Sequence, residues 1–412
     1  MKSKTWITIL SIFAAVLLLT GACSAGFVAG WFLGPQSQTQ TTGIDLPVLQ
    51  TTSEPKDTET LFDPFWEAWQ IIHDYYVDQP VDDVTLMQGA IRGMIAALGD
   101  QHSSYLDPYE YQDATSNLSG EYTGIGAWVN TEGDYLTISE PMPNSPALEA
   151  GLQTGDQIFK IDGEDMTGIL PELARRKVLG PEGTTVVLTI LREGVEEPFD
   201  VTVTRALIKV ASAEGEMLDD NIAYVKVRTF GERTDKELNT ILRDLMKNEP
   251  AGMILDLRNN GGGTLTTAIA IASEFIGDGV ILYEEYGDGS REIHEAIQGG
   301  LATDIPLVVL VNEFSASASE VVAGAIQDTG RGILVGTVTY GKGSVQQWIP
   351  LSDAQGAVRV TIARWLTPKE RLIHEIGLTP DVEVELTEED IKANLDPQLD
   401  AAVDYLLEKA SR

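Results

Sequence analysis

Cysteine, histidine and basic side chains are all scarce in this 412-residue chain. The single cysteine, Cys23, excludes an intramolecular disulfide. The four histidines, His73, His102, His294 and His374, stand in no recognisable triad context. No His/Cys/Asp cluster has metal-ligand spacing, so neither a metal nor another cofactor is expected. Only 28 Lys and Arg oppose 63 Asp and Glu, a net charge of −35. A field of that sign repels phosphate backbones and argues against nucleic acid as a partner; solubility outside the cytoplasm is the plainer reading. Hydrophobic residues at 43% and charged residues at 22% exclude a disordered chain.

Charge is missing altogether from Trp6 to Leu33, an apolar or small-residue run longer than the ~20 residues that cross a bilayer as a helix. Lys2 and Lys4 in front of it favour an inside N-terminus, which sends residues 35–412 outside. The expectation is an uncleaved, single-pass signal-anchor over residues 1–34 in the cell membrane, with the body on the periplasmic or extracellular side. A lipoprotein-like context around Cys23 is the second reading, because the apolar run continues beyond it.

Residues 35–60, rich in Thr, Gln and Pro, read as a flexible linker. Phe65, Trp66, Trp69, Ile72 and Tyr76, then Leu86, Ile91, Ile95 and Leu98, recur at helical spacing and predict a helical segment over 61–119. Over 120–205 short β-like runs separated by Gly, Pro and Asp predict a small β domain with one helix, Pro171–Val178. Strands and helices alternate over 206–390, which predicts a sheet with helices packed on it. A closing helix falls within 391–412.

The segment from Ser145 to Gly163 combines a proline-started helix, a Gly151 cap, a Gly155-Asp156 turn and an Asp162-Gly163 hairpin signal. With Tyr122, Thr123, Gly124, Ile125 and Gly126 upstream it resembles a PDZ domain of the bacterial protease type. The resemblance implies that this loop offers amides to a peptide's C-terminal carboxylate and that the peptide extends a sheet edge.

Three stretches suggest chemistry: Asp256–Gly263 (DLRNNGGG), Asn312–Glu320 (NEFSASASE) and Gly341–Gln346 (GKGSVQ). The second lies between a buried strand and a helix, a corner that exposes a nucleophile beside free helix amides. Ser315, Ser317 and Ser319 all fit that corner, and at least one is expected to act only as a helix cap. Lys342, flanked by glycines, suits a general base if burial lowers its pKa. Gly336–Lys342 also half-matches a phosphate-binding loop, but Gly343 stands where the Mg²⁺-binding hydroxyl is required, and a strand pattern follows where a helix is needed. Asp328, at the end of the serine's helix, reads equally as a second orienting group or as a surface acid.

Together with Thr367-Pro368 and Gly377–Asp381, these stretches resemble the carboxyl-terminal processing peptidases, or tail-specific proteases, over about Phe62 to Leu407. The resemblance implies Ser317 as nucleophile, Lys342 as base 25 residues later, and Gln346 as the group orienting that lysine. It implies an oxyanion hole from Ala318 and a glycine of the 261–263 run, Gly262 or Gly263. The expected whole mixes α+β and α/β parts: transmembrane helix, helical cap segment, PDZ-like β domain and a crotonase-like sheet-and-helix protease core. The implied partners are proteins or peptides with exposed apolar C-terminal tails, with a homo-oligomer allowed. An inactive peptide-binding scaffold and a crotonase-like acyl-CoA enzyme are the competing readings. Neither accounts for SASASE and GKGSVQ occurring together.

Overall fold

The aromatic-rich segment after the polar spacer forms one long helix, α1 (Thr58–Tyr75), in a computed structural model that describes residues 58–410. It belongs to a unit ending at Val81; the chain from Asp82 onward forms a second unit. The run Trp6–Leu33, expected to cross a membrane, lies outside the described residues. Among the described residues no helix is long and apolar enough to do so.

In the second unit, α2 (Asp83–Ala96) begins where the Asp82 carboxylate accepts the Val84 amide, a side-chain N-cap. The short strand β1 (Ser104–Leu106) leads into α3 (Pro108–Ser119), opened by Pro108 and a reciprocal Asp107/Glu110 capping box. Next comes β2 (Glu121–Gly124) and then the PDZ-like domain: β3 (Ala127–Asn130), β4 (Thr137–Pro141), α4 (Pro146–Glu149), β5 (Gln157–Ile161), β6 (Glu164–Asp165), α5 (Pro171–Val178), β7 (Thr185–Leu191) and β8 (Phe199–Thr204). Its sheet runs β3-β4-β5-β7-β8, with β6 on β5, so β3 is an edge strand. Alternation drives the burial: Val186, Leu188 and Ile190 of β7 are fully buried, with Thr185 exposed and Val187 and Thr189 half-buried between them. Asp162 and Gly163 both take positive φ, at 51° and 83°, as the tight β5–β6 hairpin requires. The strand β9 (Ala206–Lys209) pairs back with β2.

The core follows as β10 (Ala213–Leu218), β11 (Ile222–Val227), α6 (Thr234–Leu245), β12 (Gly252–Asp256), α7 (Leu265–Phe275), β13 (Val280–Tyr286), β14 (Arg291–Glu295), β15 (Leu307–Val311), α8 (Ala318–Thr329), β16 (Ile333–Gly336), β17 (Ser344–Pro350), β18 (Ala357–Leu366), β19 (Val382–Glu383), α9 (Glu388–Ala393) and α10 (Pro397–Ala410). One sheet has the order β10-β11-β12-β15-β16-β19 and is parallel from β11 to β19. Its central strands β12 and β15 are wholly buried because both faces are covered. Met253 and Leu255 meet Leu242, Ile271 and Val322 of α6, α7 and α8, whereas Ile254 meets Ala402 and Leu406 of α10. A second, antiparallel sheet has the order β1-β18-β13-β14, with β17 on β18. The alternating pattern predicts a sheet with helices packed on it, which this sheet is; its parallel order and the strands β13, β14 and β18 go beyond that expectation.

Candidate active site

Four fully buried residues, Val308 to Val311, end β15, and the chain turns at once into α8. That corner sorts the three serines. Ser315 is fully buried and donates its hydroxyl to the Leu257 carbonyl at 2.8 Å while accepting the Asn312 amide at 3.0 Å. Ser319 is fully buried and donates to the Asn260 carbonyl at 2.8 Å. Both hydroxyls therefore stitch the corner to the Asp256–Gly263 loop. Ser317 alone of the three is partly exposed. It sits immediately before α8 with φ 56° and ψ −115°, a backbone state that L residues rarely adopt and that recurs at functional corners.

The residue that sequence reasoning missed is Glu320, the last of SASASE. Its side chain is fully excluded from solvent. One carboxylate oxygen accepts the Ser317 amide and the Lys342 amide, each at 2.9 Å. The other accepts the Gly341 amide at 2.7 Å and the Thr339 hydroxyl at 2.6 Å. A single buried carboxylate thus clamps the serine corner to the lysine loop. Burial pushes its pKa up and the four donors oppose that. A glutamate three residues into a helix is a common capping-box pattern, and its contacts with Thr339, Gly341 and Lys342 separate it from an ordinary cap.

Lys342 is half-buried. Burial, and next the Arg359 guanidinium, hold its pKa below the ordinary lysine range, against the opposing charges of Glu320 and Asp100. Its carbonyl accepts the Trp365 indole N–H at 3.0 Å. Gly343 packs so tightly on the His374 backbone that a Cβ there would lie 2.8 Å from the His374 amide nitrogen. Gln346, on β17, donates from its amide nitrogen to Ser344 Oγ at 2.9 Å and Thr361 Oγ1 at 3.1 Å. His102 and His374, which stand in no recognisable triad context in the sequence, face each other with ring centroids 5.9 Å apart, and the charge of Lys342 reaches His102.

The glycine loop passes directly beside the serine. A Cβ on Gly262 would lie 2.8 Å from the Ala316 carbonyl, 2.9 Å from Ser317 Cβ and 3.0 Å from the Ala318 nitrogen. The Gly262 amide is already engaged by Asn260 Oδ1 at 2.9 Å. The Gly263 amide takes no acceptor among the described residues, and a Cβ added there would lie 2.2 Å from the Phe230 carbonyl oxygen. Ala318, at the first helical position, has no intrahelical acceptor for its amide. Asp328 is neither an exposed acid nor an orienter of Lys342: buried, it binds Arg371 at 2.6 Å and the Lys369 amide at 3.0 Å. Elsewhere, β13 and β14 bring ligand atoms of Glu284, Glu292 and His294 within 4.8 Å, a grouping that linear spacing did not reveal. There His294 is held by Glu284 at 2.8 Å.

A cleft of ≈ 1320 Å³ opens between the PDZ domain and the core, lined by the edge strand β3, by α5 and by α3. Of the loop residues singled out from sequence, Tyr122, Thr123 and Ile125 line it. Gly124 and Gly126 are buried beneath, where a Cβ would meet Leu179 at 3.0 Å and Ser145 at 2.5 Å respectively. Arg175 of α5 reaches Asp113 of α3 at 3.1 Å, and the Arg176 guanidinium lies 5.5 Å from the centre of the Tyr109 ring.

The model for peptidase family S41 matches residues 221–384, which hold every residue of the corner and of the lysine loop. A carboxy-terminal-processing protease of Bartonella bacilliformis is 37% identical over 365 residues, covering 87% of this chain and 82% of that protein. The chain belongs to the carboxyl-terminal processing proteases. Within this protease the PDZ model matches 137–192, and the model for the N-terminal domain of the activating protease CtpB matches 20–109. The carboxy-terminal processing protease CtpA of Bacillus subtilis is 38% identical, covering 84% of this chain and 73% of that one. The solved structure of an S41-family protein from Bacteroides fragilis shares the fold, with a TM-score of 0.52 at 18% identity over 83% of this chain and 97% of that one.

Proposed function

We propose that this serine-type protease cleaves through a Ser317–Lys342 dyad and an acyl-enzyme, and that the PDZ cleft delivers substrates to it by their C-terminal tails. The observation carrying the dyad is the Glu320 clamp. One carboxylate oxygen binds the backbone amides of both residues, so the segments that carry nucleophile and base are tied together. Neutral Lys342 Nζ takes the Ser317 hydroxyl proton as Oγ attacks the scissile carbonyl carbon. The Ala318 amide and a glycine amide stabilise the oxyanion. Since Asn260 already occupies the Gly262 amide, the reading assigns the second donor to Gly263. Lys342 then returns the proton to the leaving amine as the C–N bond breaks. A water, deprotonated by Lys342, hydrolyses the ester.

For the tail, Tyr122, Thr123 and Ile125 present the carboxylate site, and the free edge of β3 supplies backbone pairing. The apolar run Trp6–Leu33 supports anchoring in the cell membrane with the protease body outside the cytoplasm, so substrates are envelope proteins. The test uses a protein with an apolar unfolded tail, with free and amidated C-termini, and mass spectrometry of the products. Wild type should cut the free-tailed form several-fold faster, and Ser317→Ala and Lys342→Ala should cut neither. Equal cleavage by wild type and Ser317→Ala contradicts the dyad, and equal cleavage of both tails contradicts the PDZ role.

A further inference from the structure

The orientation of the Gln346 amide is dictated from far away in the chain. Asp100, between α2 and β1, accepts the Thr361 hydroxyl at 2.6 Å. It also accepts the Ser103 hydroxyl at 2.6 Å and the His102 amide at 3.0 Å. Burial raises its pKa, but the hydrogen bonds from Ser103, Thr361 and His102 outweigh this and hold the group at about 2. Asp100 is therefore an acceptor at every working pH.

A threonine hydroxyl has one proton. Thr361 gives it to Asp100, so its contact with Gln346 at 3.1 Å must be one in which Gln346 donates. The amide nitrogen of Gln346 also meets Ser344 Oγ at 2.9 Å. Its two protons are thereby spent, and among the described residues Oε1 is left without a donor. An ammonium donates and cannot accept, so only this orientation lets Gln346 receive a hydrogen bond from Lys342. A register shift between Val345 and Gln346 in the β17–β18 pairing re-aims this side chain.

We propose that Asp100, acting through Thr361, is a positioning residue of the active site: it fixes the polarity of the Gln346 amide so that Oε1 faces the lysine. The inference rests on the Ser317–Lys342 reading. It also brings a residue from outside the S41-matching region, 221–384, into the catalytic arrangement.

The test is a double-mutant cycle on the full chain with a peptide substrate. Thr361→Val keeps shape but removes the relay; it should lower kcat about 10-fold with KM changed less than about 2-fold. Thr361→Ser should restore the rate. In a Gln346→Ala background, Thr361→Val should have no further effect.

Asp100→Asn adds a pH signature. The charges that act on Lys342 are Arg359 on β18, Glu320 on α8 and Asp100, and His102 lies within reach. Removing the Asp100 charge removes support for protonated Lys342, so the acid limb of kcat/KM should move to lower pH while kcat falls. If Asp100→Asn does not fold, the isosteric Thr361→Val still decides. A wild-type kcat for Thr361→Val, or a loss that adds in full to that of Gln346→Ala, overturns the proposal. Retained cleavage by Ser317→Ala or Lys342→Ala would instead overturn the dyad reading itself.

Discussion

At Glu320 four donors converge on one carboxylate, and replacing it by glutamine tests how much of the site depends on that convergence. An amide has one accepting oxygen, so Glu320→Gln turns an N–H₂ toward two of the four donors. Two unsatisfied buried donors cost roughly 1–3 kcal/mol each. We expect Tm to fall by several degrees and kcat by about 10–100-fold, read by calorimetry and steady-state kinetics. Lys342 carries a second prediction. In the proposed dyad the base works neutral, so kcat/KM should rise with pH through the Lys342 pKa, which burial and then Arg359 hold down. Arg359→Met removes a charge that disfavours the ammonium, so the Lys342 pKa rises. The acid limb should then shift to higher pH, opposite in sign to Asp100→Asn; an unmoved limb would detach Lys342 from the titration. The stretches that hold Ser317 and Lys342 stand out in the sequence because they are local strings, though the strings alone leave Ser315, Ser317 and Ser319 as alternatives. Glu320 was not legible, since its meaning lies in amides 21 and 22 residues away. Asp100 lies 261 residues from the threonine it holds, and no spacing rule spans that distance.

Among the elements, the PDZ domain was the most legible and the antiparallel core sheet the least. Ser145–Gly163 encodes its structure locally: Ser145 caps α4, Gly151 takes φ 82°, and Asp162-Gly163 closes the hairpin. β18 pairs with β1 and β13 across long separations, whereas β13 and β14 form a local hairpin; all three are exposed or half-buried over parts of their length, so neither clean alternation nor a continuous apolar run marks them. The loop leading into β3 offers a test at this scale. Gly126 has φ 74°, and a methyl group there would lie 2.5 Å from Ser145 Cβ and 2.9 Å from Ile208. Gly126→Ala should destabilise the domain by roughly 1–3 kcal/mol and displace the loop proposed to bind the carboxylate. KM for a long-tailed substrate should rise several-fold while kcat on a short peptide stays constant. A parallel loss on both would show that the loop does not act through tail binding.

Across the whole second unit, the site is assembled from distant parts: the glycine loop after β12, the corner after β15, the loop before β17, and Asp100 from the segment before β1. Arg258 binds both Asp256 at 2.7 Å and Asp396 at 2.9 Å, tying the glycine loop to the start of α10. This layout makes one chemical claim above all, that the acyl group passes through Ser317. Acid-quenching the enzyme during turnover of a slowly deacylating peptide ester, followed by intact-mass measurement and peptide mapping, tests it directly. An adduct with the mass of the acyl fragment is expected on the peptide containing Ser317, absent in Ser317→Ala and formed far more slowly in Lys342→Ala. An adduct on another residue, or turnover by Ser317→Ala at the wild-type rate, would contradict it.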